Sequence, residues 1–160
     1  MAVHKLALED FQEDDFALIA IHSNEHDYRL AYALNNHLSI ALKRNEVDVD
    51  FQYNKASFPF FEWYQEQRQT TWNLVSNSCI TEEQSTVSAG TLFTESAPVT
   101  RTFHLLPEFK TVDYLLKISC ETATVNQEAM TQKLIQIPEV RMAYAINTLE
   151  IHSRSNLIFK

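Results

Sequence analysis

Three side chains close in sequence have the types that proton transfer requires: His104, Glu108 and Tyr114. An imidazole, a carboxyl and a phenol held together in a partly buried setting shift one another's pKa values and can act as acid and base. A loop at 109–111 between two strands would set Glu108 opposite Val112 and Leu106 opposite Tyr114. Parity then places Tyr114, Leu116 and Ile118 on one face with His104, Leu106 and Glu108, and turns Asp113, Leu115 and Lys117 to the other. The architectural alternative is simpler and is the default. Glu108 and Asp113 accept backbone N–H groups of the turn, and Tyr114 packs as an ordinary ring.

Other candidates are weaker. Histidines stand at 4, 22, 26, 37, 104 and 152, and His22, His26 and Asp27 fall near a strand end. His22 leaves a strand where His26 starts a helix, so the pair lacks the single-helix register of a zinc-binding HxxxH, and no metal or cofactor is expected. In the aromatic run Phe58-Pro59-Phe60-Phe61-Glu62-Trp63-Tyr64, alternation sends about half the rings outward. Phe60 and Tyr64 are the outward pair and the expected interface for a protein partner or a second copy. Glu9, Asp10, Glu13, Asp14 and Asp15 read as a solvated stretch.

Composition closes several routes. One glycine, Gly90, in 160 residues leaves no way to write a Walker A loop, a GxGxxG turn, a GxSxG elbow or an EF-hand loop. Net charge is −8, with basic and acidic residues numbering 5 and 10 over 1–60, 1 and 5 over 61–100, and 7 and 6 over 101–160. No basic stripe exists to neutralise phosphates, so nucleic acid and anionic membrane surfaces are not expected partners. Cys79 and Cys120 are too few and too far apart for a disulfide scaffold or a metal knuckle. The apolar run Phe16–Ile21 is too short to span a bilayer and no apolar secretion segment opens the chain, so a cytoplasmic location is expected.

The elements that must position these residues follow from periodicity. FALIAIH at 16–22 reads as a strand buried on both faces. Asn24 and Asp27 open a helix through Ser39, with Ala31, Leu34 and Leu38 on its apolar stripe. Val49, Phe51 and Tyr53 alternate with polar neighbours in a half-exposed strand at 48–53. Runs at 60–65 and 71–79 form a hairpin with Phe61, Trp63, Trp72 and Leu74 on its inner face. Residues 81–100, rich in Ser and Thr, read as a mobile polar loop. Beyond it come a hairpin of 102–107 and 112–119, a helix near 125–136 opened by Thr124 and Gln127 at capping-box spacing, a strand at 140–147, and an apolar tail, Leu157-Ile158-Phe159, that docks back.

The expected architecture is a single α+β domain over 1–160. It is a two-layer sandwich whose largely antiparallel sheet of about six to seven strands carries two helices on one face. Strand–helix–strand occurs at 16–53 and 112–147, which gives ferredoxin-like elements with an inserted hairpin.

Leu106-Pro107-Glu108-Phe109-Lys110-Thr111-Val112-Asp113-Tyr114 resembles the signature of the IPExxxVDY family of small bacterial proteins, with Leu106 in place of its isoleucine. The resemblance extends to His26-Asp27-Tyr28-Arg29-Leu30-Ala31-Tyr32, to Thr71-Trp72-Asn73-Leu74-Val75-Ser76-Asn77 and to Asn156-Leu157-Ile158-Phe159. It implies no activity. The leading functional expectation is a non-catalytic binding or protein-interaction module. Two alternatives stand beside it: an enzyme using His104, Glu108 and Tyr114, and a regulatory domain for a small-molecule effector. The 112–147 unit looks like the effector-binding ACT domains, though it lacks their glycine at the ligand turn.

Overall fold

The computed structural model describes residues 16–51, 56–83 and 98–159. Within them lie β1 (Phe16–His22), α1 (Asp27–Leu38), β2 (Lys43–Arg44), β3 (Val49–Phe51), β4 (Ala56–Phe58), β5 (Phe60–Gln65) and β6 (Thr70–Ser76). There follow β7 (Ser78–Glu83), β8 (Val99–His104), β9 (Tyr114–Cys120), α2 (Gln127–Ile135) and β10 (Met142–Ile146). Six strands form one antiparallel sheet in the order β10-β1-β9-β6-β5-β2, and two small sheets pair β3 with β4 and β7 with β8. The fold is an α+β sandwich.

Why β1 is apolar at nearly every position is visible in its packing. Ala17, Ile19 and Ile21 join Leu116 and Ile118 of β9 beneath Leu30, Ala31 and Leu34 of α1 and Leu134 of α2. Phe16, Leu18 and Ala20 point the other way, into a second core with Leu115, Val75 and Phe60 of the sheet and Phe58, Leu105, Leu106 and Leu157 outside it. Both helices lie on one face, and chain segments without long helices cover the opposite face. No helix among the described residues is long and apolar enough to cross a membrane.

β1 lies between β9 and β10 and is antiparallel to both, so α2 links two parallel strands around an inserted one. This split β-α-β is the ferredoxin-like element expected at 112–147. The first expected unit differs. Val49–Phe51 pairs with Ala56–Phe58 outside the main sheet, and the short edge strand β2 takes its place against β5. Caps differ too: His26 precedes α1 without a side-chain cap bond, and Asn126, not Thr124, caps α2 by accepting from Ala129 N. The hairpin expected of 60–65 and 71–79 forms through Ser76, with Phe61 opposite Leu74 and Trp63 opposite Trp72 on the helix side, but Ser78 and Cys79 belong to β7 and pair with β8. Its turn holds a short 3-10 helix, Glu66–Arg68, and closes through Gln69 at φ 47°.

The expected hairpin of 102–107 with 112–119 does not form. β8 pairs with β7, Ser78 opposite His104, while both edges of β9 are occupied by β1 and β6. Of the polar loop expected at 81–100, Thr81 to Glu83 and Val99 to Thr100 are strand, and 84–97 lie outside the described residues. Pro107 has no N–H to give a ladder and instead opens a 3-10 turn, Pro107–Phe109.

What holds that turn is one fully buried side chain, Asn77, between β6 and β7. Its Nδ2 donates to the carbonyls of Phe109 (2.8 Å) and Val112 (3.1 Å), and its Oδ1 accepts from Leu106 N (2.9 Å). Its backbone N–H donates to the Asp113 carbonyl at 2.9 Å, and its carbonyl accepts from Leu105 N at 2.8 Å. Every polar group of the residue binds the 105–113 segment. Truncation would strand two buried backbone groups, Leu106 N and the Val112 carbonyl, while the Phe109 carbonyl keeps the Val112 N–H. At about 1–3 kcal/mol each, Asn77→Ala is expected to lose about 2–5 kcal/mol of stability in urea unfolding. Asn77→Asp keeps the shape but loses both donors, and should recover at most part of that loss.

Candidate functional site

The three expected acid–base residues are directed to separate tasks. Tyr114 donates its hydroxyl to the Glu25 carbonyl at 2.6 Å, locking β9 to the start of α1. Burial first, then the nearby carboxylates of Asp27, Asp113 and Glu25, push its pKa up to about 12, so it stays a neutral donor. Glu108 is exposed, and its Oε1 accepts from both the N–H and the hydroxyl of Ser153, each at 2.9 Å. Slight burial works upward on this carboxyl, but hydrogen bonds from its own backbone and from Ser153, with the charge of His152, hold it below the usual range. His104 stands in β8 with its Nδ1 buried and without a partner. No hydrogen bond or ion pair joins the three, and the shared face that would have assembled them depended on the hairpin that β9 cannot make.

The remaining motif residues are architectural. Leu106 and Val112 fill the second core, and Pro107 starts the 3-10 turn. Asp113 accepts from Ser23 N at 3.0 Å and lies 3.9 Å from His22 Nδ1, so it ties β9 to the end of β1 and does not cap its own turn. Of the expected interface pair, Tyr64 is exposed, but Phe60 is 3% exposed and stacks on Phe159. The tail covers the ring that alternation had turned outward. Among the described residues no group of three or more His, Cys, Asp or Glu is arranged to hold a metal ion.

A cavity of about 440 Å³ opens at the other end of β9, where the chain turns into α2. Its apolar lining comes from Trp72, Ile118, Val125 and Met130. Thr70, Thr122 and Thr124 supply hydroxyls, and Cys120 supplies a thiol. Arg68 and Lys133, both exposed, are its charged lining residues, and no carboxylate lines it. Glu66, Glu121 and Glu128 lie on the same segments without reaching the wall. The wall is tied together: Glu121 N donates to the Gln69 carbonyl at 3.1 Å, and Thr70 Oγ1 to the Arg68 carbonyl at 3.0 Å. Trp72 is 8% exposed, and its Nε1 has no hydrogen-bond partner. A buried donor left unpaired is costly.

Cys120 sits at the rim, with Sγ 3.5 Å from the Arg68 carbonyl and 3.7 Å from Thr122 Oγ1. Hydrogen bonds from the Thr70 side chain, then from the backbone and side chain of Thr122, lower its pKa to about 7. A further groove of about 480 Å³ runs along the outer face of α1 between Tyr28, Arg29 and Tyr32. Its guanidinium already has a carboxylate, Glu25, at 3.4 Å, so it presents no comparable charge.

The cavity was not foreseen, although two signals for it exist. Strand parity carries the helix-facing series Tyr114, Leu116, Ile118 on to Cys120, and Arg68 is the single basic residue in 61–100. What joins them is the pairing of Thr70 with Cys120 across β6 and β9, a contact between residues fifty apart. Comparison with family models, with curated proteins and with solved structures gives no match.

Because the thiolate of Cys120 is the reactive form, its alkylation by iodoacetamide should rise with pH to a midpoint of about 7. Peptide mapping against Cys79 as internal reference reads this. A midpoint near the ordinary thiol value would remove the hydroxyl contacts as the cause.

Proposed function

We propose that this chain is a non-catalytic binding module whose site is the cavity at the β9–α2 turn and whose occupant is a small amphipathic anion. One observation carries the reading: an apolar cavity whose charged lining residues, Arg68 and Lys133, are both cations, in a chain of net charge −8. Against that background a local cationic site is selective, since exposed charges beyond about 8 Å are largely screened at physiological salt while those at the rim act directly. The volume falls in the range of pockets that enclose a small organic molecule. Its place at the first turn of a split β-α-β unit is similar to the effector site of ACT domains, which supports the reading by analogy. Residues 121–126 hold no glycine, so recognition here rests on side chains where those domains use close backbone approach.

Membership of the IPExxxVDY family belongs to the same proposal. The four segments that carry the resemblance converge physically, which supports it. Asn77 of the second binds 105–113, Asn156 Nδ2 of the last donates to the Leu105 carbonyl at 2.8 Å, and Tyr114 bonds the residue before His26. On this reading the motif acids and tyrosine hold the scaffold and the ligand binds elsewhere. A cytoplasmic location completes the proposal, and the two free cysteines fit a reducing compartment.

Octanoate tests the site and octylammonium tests its charge. At a hundred times its dissociation constant octanoate should stabilise the protein by about 2.7 kcal/mol, seen as a rise in Tm, with a change in Trp72 fluorescence. Octylammonium should do neither. Replacing both cations, Arg68→Gln with Lys133→Gln, should weaken octanoate about tenfold or more without lowering the Tm of the empty protein, because both side chains are exposed. Equal response to both amphiphiles, or to neither, overturns the reading.

A further inference from the structure

We infer that two copies of this chain associate through the free edge of β10, antiparallel about a two-fold axis, so that their six-stranded sheets run on as one. The inference stands apart from the cavity and its ligand. A sheet has two edges, and each presents backbone N–H and C=O groups that a further strand can pair. Those of the main sheet belong to β10 and β2. β2 is protected twice over: it is two residues long, and both, Lys43 and Arg44, are charged and exposed. β10 carries neither protection. It is five residues long, Met142-Ala143-Tyr144-Ala145-Ile146, without a charge or a proline, and among the described residues β1 is its only strand partner.

Apolar surface gathers at the same edge. Met142 is 55% exposed, Ala145 is exposed, and Leu149, in the 3-10 turn Thr148–Glu150 that follows the strand, is 76% exposed. Bare apolar side chains beside an uncharged edge strand are what strand addition buries.

The strand is complementary to itself, which selects a second copy as the occupant. Full overlap of β10 with its two-fold mate sets Met142 opposite Ile146, Ala143 opposite Ala145 and Tyr144 opposite Tyr144. Ile146 lies in the second core, so by alternation Met142 and Tyr144 share that face, where the Tyr144 ring sits 5.7 Å from His22. An aromatic pair then occupies the centre of the seam, with a methionine against an isoleucine on either side. On the helix face the seam holds only alanines, Ala143 and Ala145, which leave room for the α2 of each copy. The ends match in charge as well. Exposed Arg141 precedes the strand and exposed Glu150 closes the turn after it, while Glu139 is partly buried with one oxygen enclosed. Arg141 gives Nη1 to Asn24 Oδ1 at 3.0 Å, and its guanidinium has further donors. Antiparallel pairing brings the Arg141 end of each copy to the Glu150 end of the other, whereas parallel pairing sets like charges side by side. Two chains of net charge −8 repel, and a seam without charge of its own and with complementary ends is where they meet at least cost.

Sedimentation velocity of the full chain, from low micromolar to near-millimolar concentration, should show a monomer–dimer equilibrium. Ala145→Lys puts a charge into the seam at a residue already exposed in the single chain. It should raise the dimer dissociation constant at least about tenfold and leave the Tm of the dilute monomer unchanged. Tyr144→Cys reads the register. Across the axis its Cβ lies about 4.5–5.5 Å from that of its own copy, so mild oxidation should give a covalent dimer whose 144–144 disulfide appears in peptide mass mapping. Met142→Cys faces Ile146 and lies about 13 Å along the strand from its own copy, so it should give little of the corresponding product. A chain that stays monomeric throughout overturns the inference, whether water or a strand of another protein takes the edge. So does a dimer that Ala145→Lys leaves intact, or one in which Met142→Cys links as readily as Tyr144→Cys, because the seam then lies elsewhere.

Discussion

The arrangement of the second half of this protein depends on one buried amide. Asn77 occupies the point where the chain leaves the main sheet at Ser76 and enters the small sheet at Ser78. Carboxamides are seldom fully buried because each leaves two donors and an acceptor to be matched. Here all are matched by backbone groups of a segment about thirty residues away, so the amide acts as a template on which Leu105 to Asp113 is laid. With that segment fixed, Leu105, Leu106 and Val112 fall into the second core, and Asp113 and Tyr114 emerge at the start of β9 in position to bind Ser23 and Glu25. The tail is held by the same assembly. Asn156 bonds Leu105, Ser153 bonds Glu108, and Lys117 Nζ donates to the Leu157 carbonyl at 2.8 Å.

β9 connects this scaffold to the cavity. Seven residues at a rise of about 3.3 Å separate its ends by about 20 Å, and the two ends differ in charge. Around Tyr114 stand the carboxylates of Glu25, Asp27 and Asp113, which stabilise its protonated form. Around Cys120 stand Thr70, Thr122 and backbone groups, whose hydrogen bonds favour its thiolate, and Arg68 and Lys133 line the same cavity. The strand between them is buried on both faces and paired on both edges, so it is a rigid spacer. A motif rich in acids and a tyrosine therefore does structural work at one end, and an inconspicuous run of Cys, Thr and Ala lines the candidate site at the other.

Local pattern and tertiary competition contributed differently to this outcome. The both-face burial of β1, the stripe of α1, the inner face of the 60–76 hairpin and the docking of Leu157 were all legible. Each depends on where apolar side chains recur along a single segment. The same rule failed for His104, Leu106 and Glu108, because parity relates residues only after the partner strand is known. β9 has two edges, and β1 and β6 fill both, so the nearest segment in sequence was displaced to β7. Phe60 failed for a related reason. Alternation turned it away from the helices correctly, but a tail residue ninety-nine positions later covers the face it reached.

The sequence by itself determined that the chain builds an α+β sandwich, with helices on one side of an antiparallel sheet, and that a single glycine excludes glycine-built phosphate loops. Those conclusions rest on side-chain periodicity and backbone sterics, which are local properties. Only the tertiary structure decided which strands are neighbours, that Asn77 organises the motif, and that Arg68, Cys120 and Lys133 share a cavity. Such contacts join residues tens of positions apart, and the choice among strand edges is a competition for a limited number of backbone partners that no local pattern records.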